Sequence, residues 1–478
     1  MPKVPQGKPS GKADSRKRSF LLSDFSGPFH SAGLTGWGLG AILLAFLGIG
    51  ALYAIYTPAW QVPDEPAHYN YIRALAEETA IPVLETGDYD QAYLEELKSR
   101  KFPPDRSITD LEYEDHQPPL YYLLMAPPYV VFDGSLLALR LVSLVYGAGI
   151  VICAFAVARQ VWPNEPALAL AAAGFVAFVP QYVAQSAGVT NDTLAGLIAA
   201  LTLTLLVLYI RPREPAPKGY VRESYGGQIG VLIGLAFLTK TTVYFLPLLA
   251  ALAWGWRWRQ ERWPARLALR EAALIFVPAL LLGLLWWGRN LAVYGWPDLL
   301  GLRRHEAVVL GQPRTSEWIA QYGLVELVRR FLVTSFNSWW GQFGWMGVPM
   351  DPGVYKALLG LTLAVTAAHV WRLIAGRAGR SSSFQMAAQG LLGLAFVSSA
   401  TLYAGYNVTF VQHQGRYLFS ALIPVGLAAA AGLKAWGVFA RRLIKLPVAL
   451  VPLAAVILLA VLDVFALFRF IVPALATQ

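Results

Sequence analysis

Apolar stretches of about 20 residues recur along almost the whole chain, separated by short polar connections. A stretch of that length crosses the hydrocarbon core of a bilayer as an α-helix, whereas isolated strands cannot satisfy their backbone hydrogen bonds in lipid. Of the 478 residues, 56% are hydrophobic and 14% are charged, against about 25% charged in soluble domains. The pattern predicts an all-α, polytopic integral membrane protein.

Basic residues concentrate in the connections between the apolar stretches. The net charge is +10, but this distribution is typical of the positive-inside rule and does not indicate a nucleic-acid partner. Residues 1–33 are basic and rich in Pro, Gly and Ser, which predicts a disordered cytoplasmic tail. Basic connections that begin at Arg211, Arg257, Trp371 and Ala440 are also expected in the cytoplasm. We therefore expect a cytoplasmic N-terminus and an extracytoplasmic C-terminus.

The alternation of these connections predicts about 11 or 12 transmembrane helices within a single domain, residues 34–478. The predicted spans are 34–57, 136–158, 167–182, 193–210, 226–239, 243–256, 271–288, 355–374, 384–404, 417–437 and 446–471. The first stretch is longer than the apolar region of a cleaved signal peptide, roughly 7–15 residues, so we interpret it as an anchor. Segment 118–132 is short and contains prolines, and we interpret it as a half-inserted or interfacial element; whether it crosses is left open.

Two large loops, residues 58–117 and 289–354, are expected on the same outer side. The first contains two amphipathic stretches, "PAHYNYIRALAEE" and "YDQAYLEELKSR", which predict juxtamembrane helices at the headgroup boundary.

Polar side chains cluster at the predicted outer ends of the spans. Ionisable groups near hydrocarbon are costly and tend to mark function. Three of these groups, Lys240, Arg289 and Arg416, suit a lipid phosphate, and a nearby carboxylate could accept a proton from a hydroxyl. The candidate residues are Asp64, Glu65, His68, His116, Gln117, Asn191, Asp192, Lys240, Arg289, Asn290, His413, Arg416 and Tyr417.

Each candidate also has a purely structural interpretation. Asp64 before Glu65 and Pro66 is typical of a helix N-cap. Lys240 could snorkel from a helix end, and the two arginines could anchor the interface beside aromatic residues. The acidic run Glu112, Glu114 and Asp115 is interpreted as a solvated face.

Metal and cofactor sites receive little support from the sequence. Asp64, Glu65 and His68 could share a metal ion, but such a triplet is weak evidence. Cys153 is the only cysteine, which excludes a disulfide within the chain and a site built from several cysteines. No cofactor is indicated, and dependence on a divalent metal is left open.

The order of the polar motifs resembles that of the GT-C class of membrane glycosyltransferases, and most closely that of bacterial membrane proteins of the DUF2142 type. Those proteins carry, in this order, motifs that read here as "PDE" with His68, "QPPLYY", "ND", "LTK", "RN" with "YG" and Pro297, and "GRYLF". The similarity extends from about residue 35 to about residue 440. Protein O-mannosyltransferases and lipid A aminoarabinose transferases are more distant relatives by the same resemblance.

The resemblance implies a glycosyltransferase of a bacterial inner membrane with a sugar donor carried on a polyprenyl phosphate. It implies that Asp64 is the catalytic base, with Glu65 as its neighbour or substitute, and that Lys240, Arg289 and Arg416 contact the donor phosphate. Asp192 corresponds to a second acidic position. The relatives usually have Arg-Tyr after the Asp-Glu pair, whereas this chain has Pro66-Ala67-His68, so acceptor recognition does not transfer.

Two other functions stay open from the sequence. A transporter or flippase of lipid-linked sugars would also need a phosphate site, but it predicts an inverted repeat and charged groups near the midplane. A non-catalytic membrane scaffold would use the outer carboxylates only as helix caps. The expected partners are the lipid-linked sugar, membrane lipids and an acceptor that the sequence does not identify as a glycan, a lipid or a protein.

Overall fold

Long apolar helices form most of the chain, as the repeated hydrophobic stretches predict. The computed structural model describes residues 33–212, 225–376 and 382–476. The predicted basic tail therefore lies outside the described residues except for residue 33. The helices are α1 (Leu34–Tyr56), α2 (Glu65–Glu77), α3 (Gln91–Ser99), α4 (Leu120–Val131), α5 (Leu136–Val161), α6 (Pro166–Ala177), α7 (Pro180–Ser186), α8 (Asn191–Tyr209), α9 (Gly226–Phe237), α10 (Leu246–Glu261), α11 (Ala265–Tyr294), α12 (Leu302–Val308), α13 (Thr315–Tyr322), α14 (Leu324–Gly341), α15 (Pro352–Gly376), α16 (Ser383–Thr409), α17 (Leu422–Ile444), α18 (Leu450–Ala466) and α19 (Val472–Leu475).

Eight helical segments in the described part of the chain are long and apolar enough to cross a membrane. They are α1, α5, α8, α11, α15, α16, α17 with the short 3-10 helix Gly415–Ala421 before it, and α18 with its continuation to Leu475. Helices α6 and α7, bent by 66° where they join, would make a ninth span. The all-α polytopic prediction is confirmed.

Two of the predicted spans fall on shorter helices. Helix α9 has 12 residues and α10 has 16, so at 1.5 Å per residue neither covers a core of about 30 Å by itself. Both helices approach Lys240, which lies in the break between them. This break, together with the bend between α6 and α7, explains why fewer full spans are found than the 11 or 12 predicted.

Helix α4 lies beside the juxtamembrane helix α2 and does not cross the membrane by itself. Near its start, the Tyr122 hydroxyl is 2.9 Å from His68 Nδ1, and near its end the Tyr129 hydroxyl donates to Glu77 at 2.7 Å. Both ends of α4 thus contact one short helix of the first loop. The interfacial interpretation of segment 118–132 agrees with this arrangement.

The two loops at this end of the bundle contain secondary structure of their own. The first loop contains α2 and α3, as the amphipathic stretches predict. The second contains α12, α13, α14 and a small antiparallel hairpin of β1 (Gln342–Phe343) and β2 (Val348–Pro349). The connections after α10 and α17, which the sequence predicts to be cytoplasmic, lie at the other end of the bundle.

Candidate active site

Asp64 lies at the junction of the first loop and α2, and its side chain faces Arg416. Its backbone is left-handed, with φ +67° and ψ −3°, a conformation that Asp tolerates better than most residues. Asp64 occupies the N-cap position of α2, as the helix-start interpretation predicts, but its carboxylate makes no hydrogen bond to the first turn. Instead, Oδ2 accepts from Arg416 Nη2 at 2.7 Å and Oδ1 accepts from the Tyr113 hydroxyl at 3.2 Å.

Arg416 reaches this position because Gly415 allows a close approach of the chain to α14. A Cβ atom on Gly415 would lie 2.2 Å from the Ser335 carbonyl oxygen, a distance that excludes any larger residue without a backbone shift. The Arg416 guanidinium also donates to Gln414 at 2.7 Å and to Gln185 Oε1 at 3.4 Å. Only 5% of its side-chain surface is exposed, against 28% for Asp64. The carboxylate is the accessible member of the pair.

Lys240 joins the same cluster through α8. Its Nζ lies 2.6 Å from Asp192 Oδ1 and donates to Asn191 Oδ1 at 2.8 Å. Gln185 Nε2 donates to the other Asp192 oxygen at 3.0 Å, so one glutamine contacts both Arg416 and Asp192. Hydrogen bonds therefore connect Asp64, Arg416, Gln185, Asp192 and Lys240 without interruption.

His68 lies beside the cluster and contacts it through Tyr122 and Asn191. Its Nδ1 is 2.9 Å from the Tyr122 hydroxyl, which also accepts from Asn191 Nδ2 at 3.3 Å. Tyr122 stacks on Tyr71 with ring centroids 3.7 Å apart, and this stack holds α4 against α2. The "QPPLYY" motif thus supplies the packing that orients His68 and Asn191. Gln117 touches Asn191 at the limit of a hydrogen bond, 3.5 Å.

Burial and neighbouring charges shift the pKa values of three first-loop residues, and the direction of the shift differs between them. Burial raises the pKa of Asp64, but Arg416 and other cations outweigh this effect and hold the pKa below its ordinary value. Burial lowers the pKa of His68, which keeps the imidazole neutral at physiological pH. Burial raises the pKa of Glu114 above its ordinary value. The cluster therefore contains an ionised Asp64 beside a neutral histidine.

Glu65 is not part of this cluster. It is fully buried, and its two oxygens accept four hydrogen bonds, two from Arg140 at 2.8 and 2.6 Å and one each from the Trp60 and Val189 amides at 3.1 Å. Arg140 uses its remaining donors on the carbonyls of Ala54, Thr57 and Pro58. The pair ties the end of α1 to α2 and α5, and no acceptor position on Glu65 remains for a substrate.

Arg289 lies in an adjacent second cluster. It donates to the Pro82 carbonyl and, at 3.1 and 3.3 Å, to Asn290 Oδ1 and the Tyr294 hydroxyl. Its guanidinium also lies 4.9 Å from the centre of the Trp286 ring. None of its hydrogen bonds within the described residues reaches Asp64, Asp192 or their partners. Within the described residues, the hydrogen-bonded cluster of Asp64 contains Arg416, which pairs with Asp64, and Lys240, which pairs with Asp192, but its hydrogen bonds do not reach Arg289.

The rings of His116 and His305 contact each other near Arg289, with ring centroids 4.3 Å apart and ring planes inclined by 48°. Burial lowers the pKa of His116 to about 4, and burial together with His116 lowers the pKa of His305 to about 3. His413 lies elsewhere, edge-on to Trp318 and Phe331, where it packs the second loop.

The interpretation of the acidic run as a solvated face is wrong for Glu114 and Asp115, whereas the Glu112 side chain stays partly exposed. Asp115 is only 3% exposed, and one oxygen of Glu114 and one of Asp115 are buried without a hydrogen-bond partner among the described residues. The reason is that the chain turns back under α2 here, where the Asn70 side chain binds the carbonyls of Ile108 and Leu111 at 2.6 and 3.0 Å.

Some contacting residues are absent from the sequence candidates: Tyr113 and Gln185, which bind members of the Asp64 cluster, and Arg140, which binds Glu65 outside it. Arg140 has a clear signal, since it is the only charged residue in the predicted span 136–158. Tyr113 and Gln185 have none, because a single tyrosine or glutamine in such a chain is unremarkable by type and spacing.

The arrangement can do two kinds of chemistry. An ionised, partly exposed Asp64 can accept a proton from a hydroxyl placed against it. The buried cations Arg416 and Lys240 can attract an anionic group, since charge interactions are strong where water is excluded. A basic oxygen and two cations in one hydrogen-bonded cluster suit the displacement of an anionic leaving group by a hydroxyl.

Comparisons with known proteins find similarity over parts of the sequence and over most of the fold. Residues 116–282 match the family model described as dolichyl-phosphate-mannose-protein mannosyltransferase. A stretch of 163 residues is 30% identical to the undecaprenyl phosphate-alpha-4-amino-4-deoxy-L-arabinose arabinosyl transferase of Pseudomonas aeruginosa. That stretch covers 33% of this chain and 28% of the relative, so the chain matches well under a third of that enzyme's length.

Solved structures share the fold over most of the chain. Apo ArnT from Cupriavidus metallidurans superimposes with a TM-score of 0.51 at 14% identity, over 92% of this chain and 74% of that one. The oligosaccharyltransferase AglB from Archaeoglobus fulgidus, in complex with an inhibitory peptide and a dolichol-phosphate, gives a TM-score of 0.51 at 15% identity, over 91% and 55%. The architecture predicted from the order of the motifs is confirmed.

Proposed function

We propose that this chain, a polytopic membrane protein of the GT-C superfamily, is a glycosyltransferase that moves a sugar from a polyprenyl phosphate to an acceptor hydroxyl. The observation that carries the proposal is the unbroken connection from the Asp64 carboxylate through Arg416, Gln185 and Asp192 to Lys240. It puts a proton acceptor and two phosphate-binding cations in one cluster at the end of the bundle.

The choice of donor is supported by the cations and by the relatives. Arg416 and Lys240 are both almost buried, and their N–H groups can donate charge-assisted hydrogen bonds to a phosphate that replaces part of their contacts with Asp64 and Asp192. A lipid phosphate can arrive laterally with its chain in the membrane. The Pseudomonas relative is named for an undecaprenyl phosphate donor, and the AglB complex holds a dolichol-phosphate.

The reaction proceeds by inversion at the anomeric carbon. The acceptor oxygen attacks that carbon while its proton passes to Asp64, and the bond from the carbon to the phosphate oxygen breaks with its electron pair on the phosphate. Arg416 and Lys240 stabilise the charge that grows on the departing phosphate. A protein acid for the leaving group is unnecessary, because a neutralised phosphate leaves without a proton.

Glu65 has no part in this mechanism, since its oxygens are saturated by Arg140 and two backbone amides. The other predicted substrate-binding residues of the first loop and of α8 keep that role: His68, Gln117, Asn191 and Asp192 surround the Asp64 cluster. Arg289, Asn290 and His116 are assigned to a neighbouring region that accommodates a further part of a substrate. Tyr417, whose ring centre lies 5.5 Å from the Arg416 guanidinium, orients that guanidinium.

The site is proposed to face the extracytoplasmic side. The basic connections after α10 and α17 lie at the opposite end of the helices, and the positive-inside rule assigns that end to the cytoplasm. A cluster at one end of the bundle is also less suited to a transporter, whose binding site is expected near the midplane.

The proposal is tested with the purified full-length protein and a panel of polyprenyl-phosphate sugars with lipid, glycan and peptide acceptors. We expect the wild type to consume a donor and Asp64→Asn to lose at least a hundredfold in rate, in line with a general base. Asp105→Asn, an exposed acid of the same loop, is the matched control and should retain the wild-type rate. Full turnover by Asp64→Asn would remove Asp64 from the mechanism, and labelled lipid crossing the bilayer without donor consumption would favour the flippase.

A further inference from the structure

Three carboxylates of the first loop come together away from the Asp64 cluster. Asp88, Glu112 and Asp115 each offer an oxygen, and these oxygens all lie within 4.8 Å of one another. The Glu112 amide donates to the Asp88 carbonyl at 3.1 Å, so the two parts of the loop are already joined by their backbones. The three acids therefore converge because the loop folds back on itself.

One carboxylate oxygen of Asp115 is buried here without a partner, among the residues that the structure describes, to neutralise it or to donate a hydrogen bond to it. Its residue is 3% exposed, and its Oδ1 is buried with no hydrogen-bond partner in residues 33–212, 225–376 or 382–476. A carboxylate taken out of water without a partner is strongly destabilised as an anion. Such a group needs either a proton or a cation at its free oxygen.

Side chains of the protein do not supply that cation. Arg73 reaches Glu112 only at 3.9 Å, and about a third of the Glu112 side chain remains exposed. Arg304 donates through Nε to the Leu84 carbonyl at 2.8 Å, and Arg289 is engaged with Pro82 and Tyr294. These arginines surround the acids without making a hydrogen bond to the Asp115 carboxylate within the described residues.

We propose that Asp88, Glu112 and Asp115 bind a divalent cation of the size of Ca²⁺. The donor set is oxygen alone, which suits hard cations and disfavours metals that prefer nitrogen or sulfur. Oxygens on opposite sides of Ca²⁺, bound at about 2.3–2.6 Å, lie up to about 5 Å apart, whereas those around Mg²⁺ lie up to about 4.2 Å apart. Three oxygens that all lie within 4.8 Å of one another can therefore ligate one Ca²⁺ together.

The bound ion would brace the segment that leads into the site. Tyr113, whose hydroxyl donates to Asp64 at 3.2 Å, lies next to one of the three ligands, and His116 and Gln117 follow another. The cation neutralises the acids and fixes this segment against residue 88. It is a structural ion that contacts no reacting atom, so the inference does not depend on the proposed transferase activity.

Direct binding and thermal stability test the inference. The full-length protein in detergent is stripped with a chelator, and Ca²⁺ binding is then measured by calorimetry, with Mg²⁺ as a competitor. We expect one Ca²⁺ per chain, weaker competition by Mg²⁺, and an unfolding temperature that rises by several degrees when Ca²⁺ is restored.

Variants assign the ion to this site. Asp115→Asn and Glu112→Gln should each lose at least tenfold in Ca²⁺ affinity and most of the rise in unfolding temperature. Asp105→Asn, an exposed acid of the same loop, and Asp64→Asn should keep both. If Asp115→Asn does not fold, the Ca²⁺ affinity of Glu112→Gln and the number of Ca²⁺ ions bound per wild-type chain still test the site.

Two results would overturn the inference. One is a wild type that binds no Ca²⁺ and gains no stability from it. The other is Ca²⁺ binding that survives both Asp115→Asn and Glu112→Gln, or that is lost in Asp64→Asn instead, since the ion would then lie elsewhere.

Discussion

Arg416 Nη2 lies 2.7 Å from Asp64 Oδ2, a contact between residues 352 positions apart in the chain. The contact joins the first loop to the segment before α17. The pair can therefore form only when the N-terminal and C-terminal parts of the chain pack against each other. Arg416 holds Asp64 in its charged form, while the 28% exposure of the Asp64 side chain keeps the carboxylate reachable. A base that is both ionised and accessible is what the proposed reaction requires.

The pH dependence of the rate should reveal this contact. Asp64 must be deprotonated to act, so activity is lost as the pH falls through the pKa of Asp64, which lies below its ordinary value in the wild type. In Arg416→Gln the effect of burial dominates, and the acidic limb of kcat/KM should move up by about 1 to 3 pH units. The measurement is a pH–rate profile, with the exposed Arg303→Gln as control. Identical acidic limbs in wild type and Arg416→Gln would contradict the assignment.

Lys240 should matter for binding of the donor. Lys240→Met removes a cation from the site and leaves Asp192 without its 2.6 Å partner. Loss of a charged hydrogen bond costs about 1.5–3 kcal/mol, which corresponds to a rise of roughly tenfold to hundredfold in the KM for the lipid-linked sugar. Steady-state kinetics with varied donor test this, and Lys356→Met, an exposed lysine at the start of α15, should behave as wild type. An unchanged KM would make Lys240 an interfacial anchor.

The sequence predicts the positions of the polar motifs better than their contacts. Asp64, Asn191, Lys240 and Arg416 lie where apolar stretches end, and hydropathy locates such ends well. Which of these ends meet depends on tertiary packing, and for this reason Arg289 joins Pro82 and not Asp64.

Burial within a loop is the feature that the sequence hides most completely. Asp115 reads as a surface acid, yet the fold of the first loop under α2 encloses it. Gln185 contacts Arg416 across 231 positions, and no local pattern distinguishes it from a glutamine at the surface. The break between α6 and α7 has a local signal instead, because Pro180 starts α7 and cannot continue the preceding helix.

Glu65 and Arg140 should act on stability rather than on chemistry. Arg140 is 3% exposed and Glu65 fully buried, so Arg140→Met leaves an unpaired carboxylate in the interior. We expect a loss of about 3–5 kcal/mol in the free energy of unfolding. The double variant with Glu65→Met should be less destabilised than Arg140→Met alone, because no charge is then stranded. Unfolding in detergent measures both, and a double variant that is worse than the single one would argue against a buried ion pair of this kind.

The contacting pair of His116 and His305 makes the folded protein sensitive to acid. The pKa of His305 is about 3 in the folded chain, because of burial and the neighbouring His116, against about 6.5 when unfolded. Between pH 6.5 and 3, His305 binds a proton in the unfolded chain but stays neutral in the folded chain. Its contribution to the free energy of unfolding is therefore fully present above pH 6.5 and decreases as the pH falls toward 3. The slope is about 1.4 kcal/mol per pH unit for one proton. In His305→Asn this contribution disappears, and the unfolding temperature should fall less steeply between pH 6.5 and 4 than in the wild type. Equal slopes in the two proteins would mean that His305 titrates alike in the folded and unfolded states.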